Sequence, residues 1–442
     1  MQIRHRRFHY QSLDELRDAA HELELGLEFD EDVSRLRNPV TISGKIVPNS
    51  IAIQPMEGHD GTPDGRPSEL TFRRYRRFAA GGAGMLWFEA TAITPDGRAN
   101  PQQLMLTKDT LPSFSSLLAE TLAIAQEQFG SRHRPFTVLQ LTHSGRYSRP
   151  QGKPAPIIAF HDPYLDTETH VMPDQLPISD AEIMDLEDRF VEAAELAQAA
   201  GFDAVDIKHC HRYLPSELLA AHTRDGQYGG SFENRIRFLV NTVDKIKARL
   251  GDGIVVTTRI NAYDGHPYPY GWGVTEEEGS RKPCLDEIKR LTEILCERGV
   301  PLINITAGNP YHDPHSNRPY DLPVKGAELP NEHPLEGVAR LIHIARVVQE
   351  TVPEMVVIGS GYSWLRQFLG NVGAANIRNG WVTMVGVGRG AFAYPDFAKD
   401  LLVNGMMDRK KACITCSRCT QFMREDRATG CAVFDREVYG RR

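Results

Sequence analysis

Gly201-Phe-Asp-Ala-Val-Asp-Ile-Lys-His-Cys-His-Arg-Tyr-Leu-Pro-Ser-Glu-Leu-Leu219, followed shortly by Arg224-Asp-Gly-Gln-Tyr-Gly-Gly-Ser-Phe-Glu-Asn-Arg-Ile-Arg-Phe238, is where the fold and the chemistry of this chain meet. The apolar run 202–207 predicts a buried strand, and directly beyond it stand Lys208, His209, His211, Arg212 and Tyr213. Packing gives no reason for cationic and titratable side chains at the end of a buried strand. In barrels of alternating strands and helices, residues along each strand fill the core and residues at its C-terminal end carry the chemistry. We therefore place the active site here; a structural metal site or buried core around His209, Cys210 and His211 is the competing reading.

The same alternation extends outward in both directions. Strands are predicted at 50–56, 85–88, 135–139, 254–260, 302–306, 355–359 and 382–385, and helices at 72–80, 113–128, 232–250 and 285–298. Ser179-Asp-Ala-Glu182 has capping-box form and opens a further helix, with Ile183, Leu186, Phe190 and Ala194 on one face and Gly201 as its stop. This pattern predicts an α/β chain folded as a (β/α)8 TIM barrel over residues 46–405. The 442 residues exceed the roughly 250 of a bare barrel, which leaves room for additions at both ends. An N-terminal extension, 1–45, holds a helix capped by Ser12 and enters a hairpin, 39–47, that turns at Ser43-Gly44 as a plug under the barrel floor. A cysteine-rich tail occupies 406–442.

Composition narrows the class. A formal net charge of −7 provides no basic field for nucleic acid. No run approaches the roughly 18 apolar residues of a membrane span, and the basic N-terminus lacks the apolar core of a secretory signal, so a cytoplasmic enzyme without membrane contact is expected. Of seven cysteines, Cys210, Cys284 and Cys296 are scattered, whereas Cys413, Cys416, Cys419 and Cys431 form C-x2-C-x2-C-x11-C. That asymmetry predicts metal binding in a reducing compartment. The spacing alone admits a cubane iron–sulfur cluster or a tetrahedral zinc.

Other residues stand out by their setting. Arg259 lies inside a β-branched strand, where an unpaired guanidinium is too costly to bury, so it must meet an anion or carbonyl groups. Gly359-Ser-Gly361 and Gly386-Val-Gly-Arg389-Gly390 follow the last two strands, the usual place for a barrel phosphate site. The proline-rich stretch 147–178 has no clear period and reads as a lid.

Three motifs carry a family resemblance: the polar end of the 202–207 strand followed by Tyr213-Leu214, the run 228–238, and Gln140-Leu-Thr-His-Ser-Gly-Arg146. Together they resemble the old yellow enzyme family of FMN-dependent oxidoreductases, over about residues 49–431. With the cysteine tail, the chain resembles the iron–sulfur branch, in particular the barrel domain of 2,4-dienoyl-CoA reductase and trimethylamine dehydrogenase. Two departures are visible: the Arg-x-Asp before the 228–238 run is only partly matched by Arg224-Asp225-Gly226, and Tyr362 replaces a polar residue.

The resemblance implies FMN held non-covalently, because no cysteine stands in the stretch directly after Met56, where the trimethylamine dehydrogenase branch attaches its flavin. Pro55, Met56 and Ala90 would lie against its ring, Gln140 on the pyrimidine edge, Arg259 beside N1 and the C2 carbonyl, and Gly361, Gly388 and Arg389 on the phosphate. Lys208 and His211 would face the pyrimidine or a substrate carbonyl oxygen, Tyr213 would donate a proton, and His312 would assist it. Cys413, Cys416, Cys419 and Cys431 would hold a [4Fe-4S] cluster. The implied activity is reduction of an α,β-unsaturated carbonyl C=C bond by hydride from flavin N5, with protonation by Tyr213. One alternative is an oxidative dehydrogenase or demethylase of an amine that passes electrons through the cluster; another is an electron-transfer subunit that needs a partner. No Gly-x-Gly-x-x-Gly follows the cysteines, so electrons would come from NAD(P)H entering the barrel mouth or from a separate electron-transfer protein. The small-molecule substrate and any homo-oligomer stay undefined at this level.

Overall fold

The computed structural model describes residues 4–440; Met1 to Ile3 of the basic N-terminus and the last two residues of the tail lie outside the described residues. A hairpin of β1 (Val40–Ile42) and β2 (Lys45–Val47) precedes eight parallel strands: β3 (Ile51–Ile53), β4 (Met85–Ala92), β5 (Phe136–Thr142), β6 (Ala204–Ile207), β7 (Val255–Asn261), β8 (Leu302–Thr306), β9 (Val356–Gly359) and β10 (Met384–Val387). They close in sequence order, with β10 returning to β3, so the chain is a TIM barrel as expected.

Side chains pointing into the barrel from its lower half, among them Ala52, Met85, Trp87, Val138, Leu302 and Met384, pack in one cluster with Val40, Ile42 and Val47 of the hairpin. The hairpin therefore seals the floor, and the open end is left to the C-terminal ends of the strands. The outer layer is a larger cluster in which the helices lay their apolar faces on the strands.

In chain order the helices are α1 (Leu13–Glu22), α2 (Glu69–Ala79), α3 (Leu111–Phe129), α4 (Asp180–Ala200), α5 (Leu214–Leu219), α6 (Phe232–Leu250), α7 (Asp286–Glu297), α8 (Pro314–Asn317), α9 (Pro334–Thr351), α10 (Leu369–Arg378), α11 (Arg389–Ala393), α12 (Phe397–Asn404), α13 (Arg418–Arg424) and α14 (Arg436–Tyr439). α4 shows how local signals set the boundaries. Ser179 accepts from the Glu182 amide while Glu182 returns to the Ser179 amide, Ile183, Leu186, Phe190 and Ala194 are all buried, and Gly201 ends the helix at φ 98°. None of the described helices is long and apolar enough to cross a membrane.

β4 and β5 run on to Ala92 and Thr142, past the predicted 88 and 139, and in β10 the role of a glycine differs from expectation. The run 382–385 was to end before Gly386, yet β10 is Met384–Val387 and Gly386 pairs with Ala52 inside it. A Cβ at Gly386 would come within 2.0 Å of Gln54 Nε2 and 2.5 Å of the Gly359 carbonyl. This glycine marks a close approach within a strand, where the sequence suggested a turn.

Candidate active site

A cavity of about 680 Å³ opens at the C-terminal ends of the strands. Gln54 to Glu57 beyond β3, Gln140 from β5, Lys208 and His211 beyond β6, Arg259 from β7, Gly361 beyond β9 and Gly388 and Arg389 beyond β10 all line it. Nine of the residues singled out in the sequence thus meet on one wall system: Pro55, Met56, Gln140, Lys208, His211, Arg259, Gly361, Gly388 and Arg389.

Three of the expected residues sit elsewhere. Ala90 lies in a bulge where the β4–β5 register shifts between Phe88 and Thr91, and its carbonyl accepts from Gln103. Tyr213 is fully buried behind the wall, with its hydroxyl 2.8 Å from that of Tyr311, and Tyr311 does face the cavity. His312 turns away to Glu168 of the 147–178 stretch, with Nδ1 3.2 Å from Oε2.

The polar wall has a definite donor pattern. Gln140 Nε2 donates to Asp206 Oδ2 at 2.6 Å, and Trp87 Nε1 donates to the same oxygen at 2.8 Å. With its amide nitrogen so engaged, Gln140 presents its carbonyl oxygen to the cavity, an acceptor for a ring N–H. Arg259 is buried with no salt-bridge partner among the described residues, and burial lowers its pKa despite the nearby Cys210 and Asp206. Burial also holds the His211 imidazole neutral, reinforced by the cations Arg259, Lys208 and Arg318. Asn317 Nδ2 stands 3.3 Å from His211 Nε2. His211 and Arg212 adopt φ of 67° and 60°, left-handed backbone that non-glycine residues avoid and that concentrates at functional sites.

At the other end of the cavity the sequence missed Arg318. Both of its terminal nitrogens are buried without a partner, and burial, with Arg389 beside it, pushes its pKa down to about 9. Arg389 donates through Nη2 to the Pro319 carbonyl at 2.7 Å and leaves Nη1 unpaired. Two guanidiniums with free N–H groups, beside Gly361 in the left-handed region at φ 98°, form a cradle for a dianion. Tyr362 is turned inward, its hydroxyl accepting from Asn376 at 2.9 Å, while Ser360 and Ser363 line the cavity. The tyrosine that departs from the polar pattern is therefore a core residue.

The 147–178 stretch does cover the site, and buried arginines fasten it. Arg146 reaches Glu217, Asp166, Thr169 and the Phe160 carbonyl; Arg212 bonds Asp162 at 2.5 Å and Asp264 at 3.0 Å; Arg224 donates to the Ala159 carbonyl at 2.8 Å. Arg146 belongs to a motif that carries the family resemblance and Arg224 to the partly matched lead-in before 228–238, and both hold this cover.

Cys413, Cys416, Cys419 and Cys431 all line one small pocket, shared with Arg389 and Phe392. Cys419, Arg389 and Phe392 also line the large cavity, so the two sites have a common wall. Burial pushes the Cys413 thiol up to about 12 and raises that of Cys431, so thiolates here require a cationic group to hold them. Thr415 and Ser417, between the cysteines, have φ of 46° and 56°, which folds the segment around the pocket. Among the described residues no group of three or more His, Cys, Asp or Glu is arranged to hold a metal ion.

Three residues of the site lacked a readable signal. Arg318 and Tyr311 come from a loop without a motif, and Glu57 stands one residue past Pro55-Met56 with no pattern of its own.

Comparison with known proteins bears on family and fold. The family model described as NADH:flavin oxidoreductase / NADH oxidase matches residues 35–291. An NADPH dehydrogenase of Bacillus pumilus is 34% identical over 279 residues, which are 62% of this chain and 74% of that protein. Among solved structures, a 2-naphthoyl-CoA reductase complex superposes with a TM-score of 0.70 at 19% identity, covering 91% of this chain and 57% of that one. Histamine dehydrogenase from Rhizobium sp. 4-9 gives 0.67 at 21% identity, covering 90% and 52%. The chain thus spans little more than half of those two proteins, and at such identities the likeness is one of fold.

Proposed function

Because the chain belongs to the NADH:flavin oxidoreductase / NADH oxidase family, we propose that this oxidoreductase binds FMN non-covalently in the cavity and reduces the C=C bond of an α,β-unsaturated carbonyl compound, with NAD(P)H as donor. When bound, FMN supplies the hydride chemistry. The residues fit its parts: the Arg318 and Arg389 guanidiniums and Gly361 for the phosphate, Gln140 and Arg259 for the pyrimidine edge.

The observation that carries the reading is the pairing of two opposed functions in one cavity. β6 and β10 are four strands apart in the closed ring of eight, so Lys208 and His211 face across the barrel mouth from the phosphate cradle. A substrate carbonyl oxygen placed against the Lys208 ammonium and the neutral His211 N–H would gain two donors as it takes up negative charge in an enolate. Tyr213, under the same wall, supplies the proton for the neighbouring carbon through the Tyr311 hydroxyl that faces the cavity. The cover keeps water from the reacting carbons.

The cysteine pocket, lined by all four thiols, suits a [4Fe-4S] cluster more than a single zinc ion, because a site beside a flavin has use for one-electron steps. Its wall shared with the cavity supports a second reading: oxidation of an amine or related small molecule, with single electrons leaving through Cys419 toward a separate protein. Anaerobic titration of the purified protein separates the two. Bleaching of a flavin spectrum by NADPH or NADH and its return on adding 2-cyclohexenone supports reduction; bleaching by an amine supports oxidation; a protein that binds no FMN ends both.

A further inference from the structure

Glu57 is the residue of this site that neither reading uses. Its loop is rigidly held: the Gly58 amide donates to Glu89 at 2.7 Å, Glu89 and Asp60 are both paired with buried Arg74, and the Gly58 carbonyl accepts from Thr429 at 2.6 Å. Held in this way, Glu57 Oε1 accepts from the Tyr213 hydroxyl at 3.1 Å and from Lys208 Nζ at 3.3 Å. Oε2 has no hydrogen-bond partner, although the side chain is only 9% exposed; Glu57 lines the cavity, and its Oε2 is 3.8 Å from His59 Nε2. A buried carboxylate oxygen left bare is costly unless something visits it.

We propose that Glu57 is the positioning and relay residue for Tyr213: it fixes the phenol and the Lys208 ammonium, and it returns a proton to Tyr213 after each turnover. This rests on the reductase reading above. When the Tyr311 hydroxyl at the cavity gives its proton to the substrate carbon and takes that of Tyr213 in turn, a phenolate is left at Tyr213, 3.1 Å from a carboxylate, with the Lys208 ammonium the cation in contact with both. That pair draws one proton. Glu57 takes a solvent proton at Oε2, becomes the neutral acid, turns its carboxyl group so that this O–H reaches the phenolate oxygen, passes the proton there and ends as the carboxylate. One O–H bond breaks and one forms at each transfer, no electrons move, and one solvent proton is consumed per double bond.

The groups that set this balance come from several elements. Lys208 and Cys210 face Glu57 from the end of β6, Tyr213 from the start of α5, Tyr311 from the loop after β8, and His59 from its own loop. Burial and then Glu57 raise the Tyr213 pKa well above the ordinary phenol, so the phenolate is not a resting state. Burial lowers that of His59, so the proton comes from water and not from an imidazolium.

The test compares wild type with Glu57→Gln, Glu57→Asp, Tyr213→Phe and the Gln/Phe double variant, scoring reoxidation of the bleached protein by 2-cyclohexenone relative to bleaching by nicotinamide. Glu57→Gln is expected to slow reoxidation by about 100-fold and to make it fall steadily with rising pH, where wild type is level. Glu57→Asp recovers part of the rate, and the double variant is no slower than Tyr213→Phe alone. A readout without turnover accompanies this: with 3-fluorotyrosine at position 213, the fluorine NMR titration midpoint drops by about one unit or more in Glu57→Gln. Wild-type turnover with an unimpaired Glu57→Gln variant, or losses that multiply in the double variant, overturns the relay alone. A wild type that nicotinamide bleaches and the enone never reoxidises sinks the reductase reading, and the relay with it. An unmoved fluorine midpoint removes the contact itself.

Discussion

The hydroxyls of Tyr213 and Tyr311 are 2.8 Å apart, and the Tyr311 ring, stacked on that of Tyr147 at 4.2 Å, stands between Tyr213 and the cavity. The proton donor is thereby kept dry, with Lys208 Nζ 3.6 Å over its ring. Tyr213→Phe removes the O–H and keeps the ring, so the stack and the cation–π contact persist. Flavin bleaching by nicotinamide is expected to be retained while alkene turnover falls by about two orders of magnitude. Stopped-flow absorbance of the two half-reactions checks this, and unchanged alkene turnover removes Tyr213 from its role.

Arg318 has the strongest unmet demand for an anion in the molecule's cavity, with both terminal nitrogens bare and its pKa pushed down to about 9 by burial and by Arg389. A phosphate dianion reverses both penalties. Arg318→Met should therefore weaken FMN binding by roughly 10- to 100-fold, the worth of one charge-assisted hydrogen bond of about 1.5–3 kcal/mol. Riboflavin, which lacks the phosphate, should bind wild type and variant alike. Fluorescence quenching titrations of the apoprotein with both flavins measure the difference, and equal losses for the two would move Arg318 away from the phosphate.

Much of this arrangement was legible because barrels tie function to strand ends. Once the buried run before Lys208 was recognised, the polar groups after it, Gln140 at the end of β5 and the glycines after β9 and β10 had to converge at one mouth. What stayed hidden is what periodicity does not encode. Arg318 and Tyr311 reach the site from a long irregular loop, and their positions depend on tertiary contacts such as Arg389 to the Pro319 carbonyl. Gly386 looked like a strand stop because a glycine demanded by a neighbour's proximity and one demanded by a turn are the same letter. His312 belonged to a loop whose direction no spacing fixes, and it bonds the cover.

Asp206 sets a pH dependence of stability. It is fully enclosed, and burial pushes its carboxyl up from 3.8 to about 6, against the opposing pull of Gln140, the Arg259 amide and Trp87. The folded protein thus binds this proton more tightly than the unfolded chain. Between those two values the unfolded state holds fewer protons, so stability falls as pH rises through the window, by about 3 kcal/mol for a shift of about two units. Asp206→Asn removes the ionisation and keeps an acceptor for Gln140. Denaturant unfolding at pH 4 and pH 7 should show the variant gaining on wild type across that interval, and parallel curves would place the proton elsewhere.

The cysteine pocket gives the sharpest compositional prediction. Cys413 and Cys431 are thiols that burial keeps neutral near pH 7, so the four ligands become thiolates only when a cationic centre replaces the protons. Protein purified without oxygen should carry about four irons and four acid-labile sulfides per chain if the centre is a cubane, beside one flavin. Cys431→Ser sits on the lone cysteine of the far segment and opens one corner, whereas Cys419→Ser also disturbs the wall shared with the cavity. The first substitution should therefore lose iron and sulfide while keeping FMN, and the second should lose iron and weaken FMN as well. One zinc per chain with no sulfide would replace the cluster by a structural ion and remove the outlet for single electrons, which would leave amine oxidation through the tail without a route.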